Sequence, residues 1–168
     1  MNRILSFNEL DILAEKLADY SRENTVIALI GDLGTGKTTF TQKFAKRLGV
    51  TDVIKSPTFN YVLEYFTGRL PLYHFDVYRL CEPEEIYEIG YEDYLNNDGV
   101  VLIEWANIIE SELPSEYIRL ELKHHDDKSR EVDLTYVGNS AKEKEMLEYV
   151  GFSHWYSYKD SKCSTLWW

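Results

Sequence analysis

The sequence predicts an α/β fold, a mixed sheet with a parallel core and antiparallel hairpins lying between helical layers. Three observations predict it. A short apolar run leads through a glycine-rich loop into an amphipathic helix, a second apolar run rises from a turn and ends in an acid, and two pairs of aromatic or alternating segments are each joined by a turn. At 168 residues the chain suits one domain that buries roughly two-thirds of its unfolded surface. The expected division is a single domain over 1–138 and a C-terminal extension of unknown role over 139–168.

The glycine loop carries the most information. Gly31, Asp32, Leu33, Gly34, Thr35, Gly36, Lys37 and Thr38 meet the pattern G-x-x-x-x-G-K-[ST] at every required position. Residues 25–30, TVIALI, have the length and β-branched character of a buried parallel strand. In residues 39–48 Phe40, Phe44 and Leu48 fall on one helical face, and Gly49 stands where a helix ends on glycine. Strand, loop and helix therefore arrive in the order of a P-loop, and the fold class sharpens to a P-loop NTPase-like three-layer sandwich.

The chemistry follows from backbone geometry. Glycines let successive N–H groups turn onto phosphate oxygens while the helix directs its positive end to the same point. Gly31 to Gly36, with Lys37, Thr38 and Thr39, are the candidate nucleotide-binding residues. Lys37 is expected at the β and γ phosphates, and the Thr38 hydroxyl at a Mg²⁺ ion that keeps several of its waters. A glycine-rich turn beside a solvated lysine is the plain alternative.

The other elements follow in order. Ser6 and Glu9 form a capping box ahead of Leu10, Leu13, Ala14 and Leu17 at helical spacing, so the chain opens on a capped helix. Beyond the loop helix, Pro57 ends regular structure within 53–59, leaving Ser56 and Thr58 on a candidate switch loop across from the γ-phosphate. Ordinary capping of a turn by these hydroxyls is the alternative. Residues 61–66 and 72–78 read as a hairpin around Thr67, Gly68 and Arg69. Strand period puts His74, Asp76 and Tyr78 on one face, where Asp76 either serves Mg²⁺ or its water, or pairs with Arg79.

Pro83 and the acids around it start a helix that Gly90 breaks before 91–95, and 96–99 form a turn. The run VVLIEW at 100–105 is a buried strand that delivers the Glu104 carboxylate at its C-terminal end, the place of a Walker B acid. Glu104 is thus a candidate catalytic and metal-holding residue, with Lys37 and Asp76 beside it in the reaction, and Trp105 is placed to close the site against solvent. A glutamate that merely caps or salt-bridges is the alternative. A short helix over 106–113 stops at Pro114; 117–124 and 130–137 alternate as a second hairpin that closes the domain, with His124 and His125 read as solvated. Residues 141–150 are mostly charged and of helical character. Phe152, Trp155, Tyr156, Trp167 and Trp168 follow without clear period, and such aromatics are worth considering as a contact surface.

Charge narrows the partners. A net charge of -11 speaks against unaided nucleic-acid binding, because a polyanion is repelled. Cys81 and Cys163 are too few for a disulfide framework, which suits a reducing compartment. The N-terminus lacks a signal-peptide pattern, and no apolar stretch nears the ~18 residues of a membrane span. A cytoplasmic protein with no membrane partner is the expectation.

The segments GDLGTGKTTF, SPTFNYVLEY, LYHFDVYRL, EIGYEDYL and VVLIEWA, in this order and spacing, resemble the TsaE (YjeE) family of bacterial P-loop ATPases over about residues 5–137. The resemblance implies an ATP- and Mg²⁺-dependent ATPase in the making of threonylcarbamoyladenosine on tRNA. Such a protein acts on a complex of TsaB and TsaD and meets tRNA only through that complex. It carries phosphate binding to Gly31 to Lys37, Mg²⁺ to Thr38 and Glu104, the switch to residues 56–59, and proximity to nucleotide to Asp76 and Trp105. The tail from Asn139 departs from it. Two rivals remain at this point: a small-molecule P-loop kinase, which needs an arginine-bearing lid, and a nucleotide-sensing adaptor without useful turnover. The absence of an NKxD motif counts against GTP.

Overall fold

The computed structural model describes residues 1–152. Its elements are β1 (Asn2–Ser6), α1 (Phe7–Tyr20), β2 (Val26–Ile30), α2 (Lys37–Leu48), β3 (Val62–Tyr65), β4 (Leu72–Asp76), a 3₁₀ turn (Pro83–Ile89), α3 (Tyr91–Leu95), β5 (Val100–Glu104), a second 3₁₀ turn (Ala106–Glu112), β6 (Tyr117–Asp126), β7 (Ser129–Val137) and α4 (Ser140–Tyr149). One seven-stranded sheet runs β1-β7-β6-β2-β5-β4-β3. Its four central strands β6, β2, β5 and β4 are parallel, and the flanking pairs are antiparallel. This is the mixed α/β sheet the sequence predicts.

Strand period sorts the core into two layers. Ile27, Leu29, Val100, Leu102 and Leu120 face α1 and α2, whose Leu10, Leu13, Leu17, Phe40 and Phe44 cover them. On the opposite face Ala28, Val101, Ile103, Tyr73 and Phe75 pack against Ile86, Tyr91 and Ile109 from the turns and α3. β2 and β5 are buried on both faces, which is why they read as unbroken apolar runs.

Two features depart from expectation. The Ser6 hydroxyl does accept the Glu9 N–H at 3.2 Å while the Ser6 N–H donates to Glu9 Oε2 at 2.7 Å, closing the capping box. Yet α1 is not the first element, because Asn2–Ser6 pairs antiparallel with β7 as an edge strand. It has one buried residue, Leu5, so it carries no alternation to read. The second hairpin forms as expected, pairing Ile118 with Tyr136, Leu120 with Leu134 and Leu122 with Val132. It does not close the domain as an edge: β6 lies beside β2 at the centre, and β1 forms the edge beyond β7.

After Gly138, α4 is capped by Asn139 and lies over the sheet. Met146, Val150 and Phe152 join the α1 and α2 side of the core. Trp155, Tyr156, Trp167 and Trp168 lie outside the described residues.

Candidate functional site

The C-terminal ends of β2, β4 and β5 meet at one edge of the parallel core, the edge at which open α/β sheets bind ligands. β2 gives way there to the loop and to α2, whose N-cap Gly36 has φ 105° and no side-chain cap. Gly34 has φ 79°, and a Cβ at either glycine would project into open space. That conformation suits glycine, and the space is a cradle above the loop. Gly31 plays another part, since a Cβ there would meet the Leu122 carbonyl at 2.7 Å and Thr35 Oγ1 at 2.6 Å. The inner turn is closed by Thr35, whose N–H and hydroxyl both donate to the Asp32 carbonyl, at 3.2 and 2.8 Å.

A cleft of about 490 Å³ opens over the loop. Leu33, Gly34, Gly36, Lys37, Thr38, Thr39, Ser56, Thr58, Asp76, Glu104 and Trp105 line it, joined by Tyr78. Every candidate residue is therefore at the cleft except Gly31, Asp32 and Thr35, which build the turn beneath it. Lys37, only 6% exposed, donates to the carbonyls of Gly31 and of Asp32, the latter at 3.0 Å, and lies 4.0 Å from the centre of the Trp105 ring. Burial pushes its ammonium below the ordinary lysine range, while Glu104, Asp76 and Asp32 pull the other way.

The two strand-end acids stand side by side. Asp76 is in register with Glu104 across β4 and β5. The Thr38 hydroxyl donates to Glu104 Oε1 at 3.0 Å. The other carboxylate oxygen, Oε2, accepts from His74 Nε2 at 2.6 Å. His74 and Glu104 are both buried, and His74 Nδ1 has no hydrogen-bond partner among the described residues. Asp76 does not pair with Arg79, which instead stacks on Phe59 at 4.6 Å. Its Oδ1 accepts the Tyr78 N–H at 3.0 Å and its Oδ2 lies 3.5 Å from the Ser56 hydroxyl, itself 2.7 Å from that of Thr58. Burial raises the Asp76 carboxyl above its usual range; the Tyr78 N–H opposes this and the Glu104 charge adds to it.

Trp105 follows β5 in the left-handed region, at φ 62° and ψ 32°. That conformation is uncommon for a bulky residue, and it turns the indole across the cleft beside Tyr78, 4.7 Å between ring centres. The sequence reading missed His74 as a partner of Glu104. Its signal was present, because His74 lies two residues before Asp76 on the same face of a strand that neighbours β5. Arg130 was also missed: its guanidinium reaches the Thr35 carbonyl at 3.2 Å from β7, and no local pattern brings those residues together.

A parallel-core sheet, a glycine loop opening a helix and a strand-end acid against that helix define a P-loop NTPase-like α/β protein. Comparison narrows the class. The family model for "Threonylcarbamoyl adenosine biosynthesis protein TsaE" matches residues 4–132. The tRNA threonylcarbamoyladenosine biosynthesis protein TsaE of Bacillus subtilis is 43% identical over 137 residues, covering 82% of this chain and 85% of that one. Its counterpart in a Nostoc species is 44% identical over 115 residues, 66% of this chain and 70% of the relative. The crystal structure of Bacillus subtilis YdiB superposes with a TM-score of 0.73 at 35% identity, covering 92% of this chain and 98% of that chain. The chain belongs to the TsaE family of threonylcarbamoyladenosine biosynthesis.

Proposed function

We propose that this chain binds ATP with Mg²⁺ and hydrolyses it, as an accessory subunit of the tRNA threonylcarbamoyladenosine machinery that acts on a TsaB–TsaD complex. The observation that carries the reading is the Thr38 hydroxyl 3.0 Å from Glu104 Oε1 at the uncapped start of α2. It supplies two hard oxygen donors where a nucleotide-bound Mg²⁺ ion takes few protein ligands and keeps its waters. Among the described residues no group of three His, Cys, Asp or Glu side chains could hold a metal by itself, which suits an ion that arrives with its phosphates. The residues fit the groups: Thr38 and Glu104 would hold Mg²⁺, and the cradle over Gly34 and Gly36 would take the phosphates.

Bound there, Mg²⁺ would neutralise charge on the β and γ phosphates. The remaining work belongs to the chain. Loop N–H groups bind phosphate oxygens, and the Lys37 ammonium sits at the same end of the cleft, close enough to exchange its carbonyl contacts for phosphate. Glu104 is fixed from two sides, by Thr38 and His74, so its carboxylate stays aimed at the helix start. Asp76 brings a second carboxylate, Ser56 and Thr58 bring hydroxyls from the facing loop, and the Trp105 and Tyr78 rings shield the cleft from bulk water. The cytoplasm, where tRNA is modified, is the compartment this role requires.

Phosphate release from ATP and Mg²⁺ tests the reading, measured on the chain alone and with the TsaB and TsaD pair. Slow release that rises with the pair is expected. Glu104→Gln should keep ATP affinity within a few-fold and lower turnover by roughly 10²-fold or more. Full turnover in that variant would remove Glu104 from the reaction, no effect of the pair would remove the proposed partners, and transfer of phosphate to a small acceptor in place of water would make the protein a kinase.

A further inference from the structure

The chain has an unassigned cationic group behind the phosphate loop. β2 ends at Ile30, opposite Glu121 of β6, but β6 continues to Asp126, so the tip of the β6–β7 hairpin overhangs the loop. A bulge between His124 and Asp126 kinks that tip. Asp126 Oδ1 then accepts from the Lys128 N–H at 2.8 Å and the Ser129 hydroxyl at 2.7 Å, which fixes the turn into β7. Arg130 follows. Its Nη1 donates to the carbonyls of Asp126 and Ser129 at 3.0 and 2.8 Å, anchoring the guanidinium on its own hairpin. Its Nε donates across the gap to the Thr35 carbonyl at 3.2 Å, with Nη2 3.5 Å from that of Gly34, and the Phe7 ring packs 4.8 Å from its centre. His124 Nε2 lies 3.4 Å from the Leu33 carbonyl.

These contacts set the loop's direction. In a trans peptide the C=O and N–H point opposite ways, so a carbonyl drawn toward the hairpin turns the next residue's N–H toward the cleft. The Thr35 carbonyl held by Arg130 aims the Gly36 N–H, and the Leu33 carbonyl beside His124 aims the Gly34 N–H. The Thr35 N–H is taken by Asp32 within the turn. Gly34 and Gly36 line the cleft, whereas Arg130 does not. Among the described residues Arg130 has no carboxylate within ion-pair distance; its guanidinium contacts are to main-chain carbonyls and the Phe7 ring.

We propose that Arg130 is a positioning residue for polyphosphate: from β7 it holds the Thr35 carbonyl outward, presents the Gly36 N–H to the ligand, and places behind the loop a positive charge that has no carboxylate partner. The inference rests on the reading that the loop binds nucleotide. It differs from an arginine that touches the γ-phosphate, because Arg130 acts through the loop and therefore serves ATP and ADP alike.

Binding of fluorescent ATP and ADP analogues with Mg²⁺, together with steady-state turnover, separates these ideas for the full chain and its Arg130→Ala, Arg130→Lys and Lys37→Ala variants. Loss of the fork from Arg130→Ala should weaken both nucleotides by about tenfold, equivalent to one 1.4 kcal/mol step, and raise KM while kcat stays within about threefold. Arg130→Lys, which keeps the charge but reaches fewer carbonyls, should fall between wild type and Arg130→Ala. Amide hydrogen exchange across 31–37 should quicken in nucleotide-free Arg130→Ala with β5 unchanged, a local effect that general unfolding would not give. Affinity unchanged in Arg130→Ala, or a loss confined to ATP or to kcat, would overturn the proposal. If wild type binds neither nucleotide under conditions where its fold is intact, the nucleotide reading itself fails, and with it the basis of this one.

Discussion

At the scale of single residues the site is a set of groups held in states that cost stability. Asp76 shows the sign most clearly. Burial raises its folded carboxyl pKa above the unfolded value, so the ionised form is disfavoured in the folded protein. The penalty is fully present above the folded pKa and shrinks as pH falls, because the folded state takes up the proton first. Asp76→Asn removes that penalty. In EDTA, thermal melts should place Asp76→Asn above wild type at pH 7, with the difference closing toward about pH 4; a gap that widens on acidification would contradict the burial argument. His74 and Glu104 reveal the limit of reading residues singly. The sequence supplied the strand-end acid and put His74 on the same face as Asp76, but their 2.6 Å contact depends on β4 lying next to β5. Arg79 was within three residues of Asp76 and still found Phe59, since the strand ends at Asp76 and the chain turns away.

At the scale of elements, local signals performed well where a period or a cap exists. The Ser6 capping box, the burial on both faces of β2 and β5, and the alternation of the β6–β7 hairpin all follow from spacing alone. β1 had no such signal: its pairing with β7 is a property of β7's free edge, not of the sequence NRILS. The helix α4 is an intermediate case, charged along most of its length, with Met146 its one fully buried side chain. Met146→Ala should cost about 2 to 5 kcal/mol and lower the melting temperature by roughly 4 to 20 °C. A loss within 1 °C in thermal denaturation would mean that α4 adds little to the core it covers. Such a result would leave the strand–loop–helix unit untouched, because α2 packs chiefly on α1, whereas α4 packs on β7 and α1.

At the scale of the whole molecule, charge and topology act together. With a net charge of -11, the chain alone should not retard tRNA in a gel-shift experiment below roughly 100 µM protein at physiological salt. Retardation appearing only with the TsaB–TsaD pair would agree with tRNA contact through the complex, and tight binding by the chain alone would contradict it. No helix among the described residues is long and apolar enough to cross a membrane. The sequence by itself determined the α/β class, the strand–loop–helix unit and most of the residues that line the cleft over the loop, because these depend on backbone rules acting over neighbouring positions: period, capping and the conformational freedom of Gly34 and Gly36. Only the tertiary structure decided the strand order, the closing of Glu104 between Thr38 and His74, and the presence of Arg130 behind the loop. Those contacts join residues from 30 to 96 positions apart, and which strands become neighbours is settled by how two apolar faces are covered at once, a condition that no local pattern records.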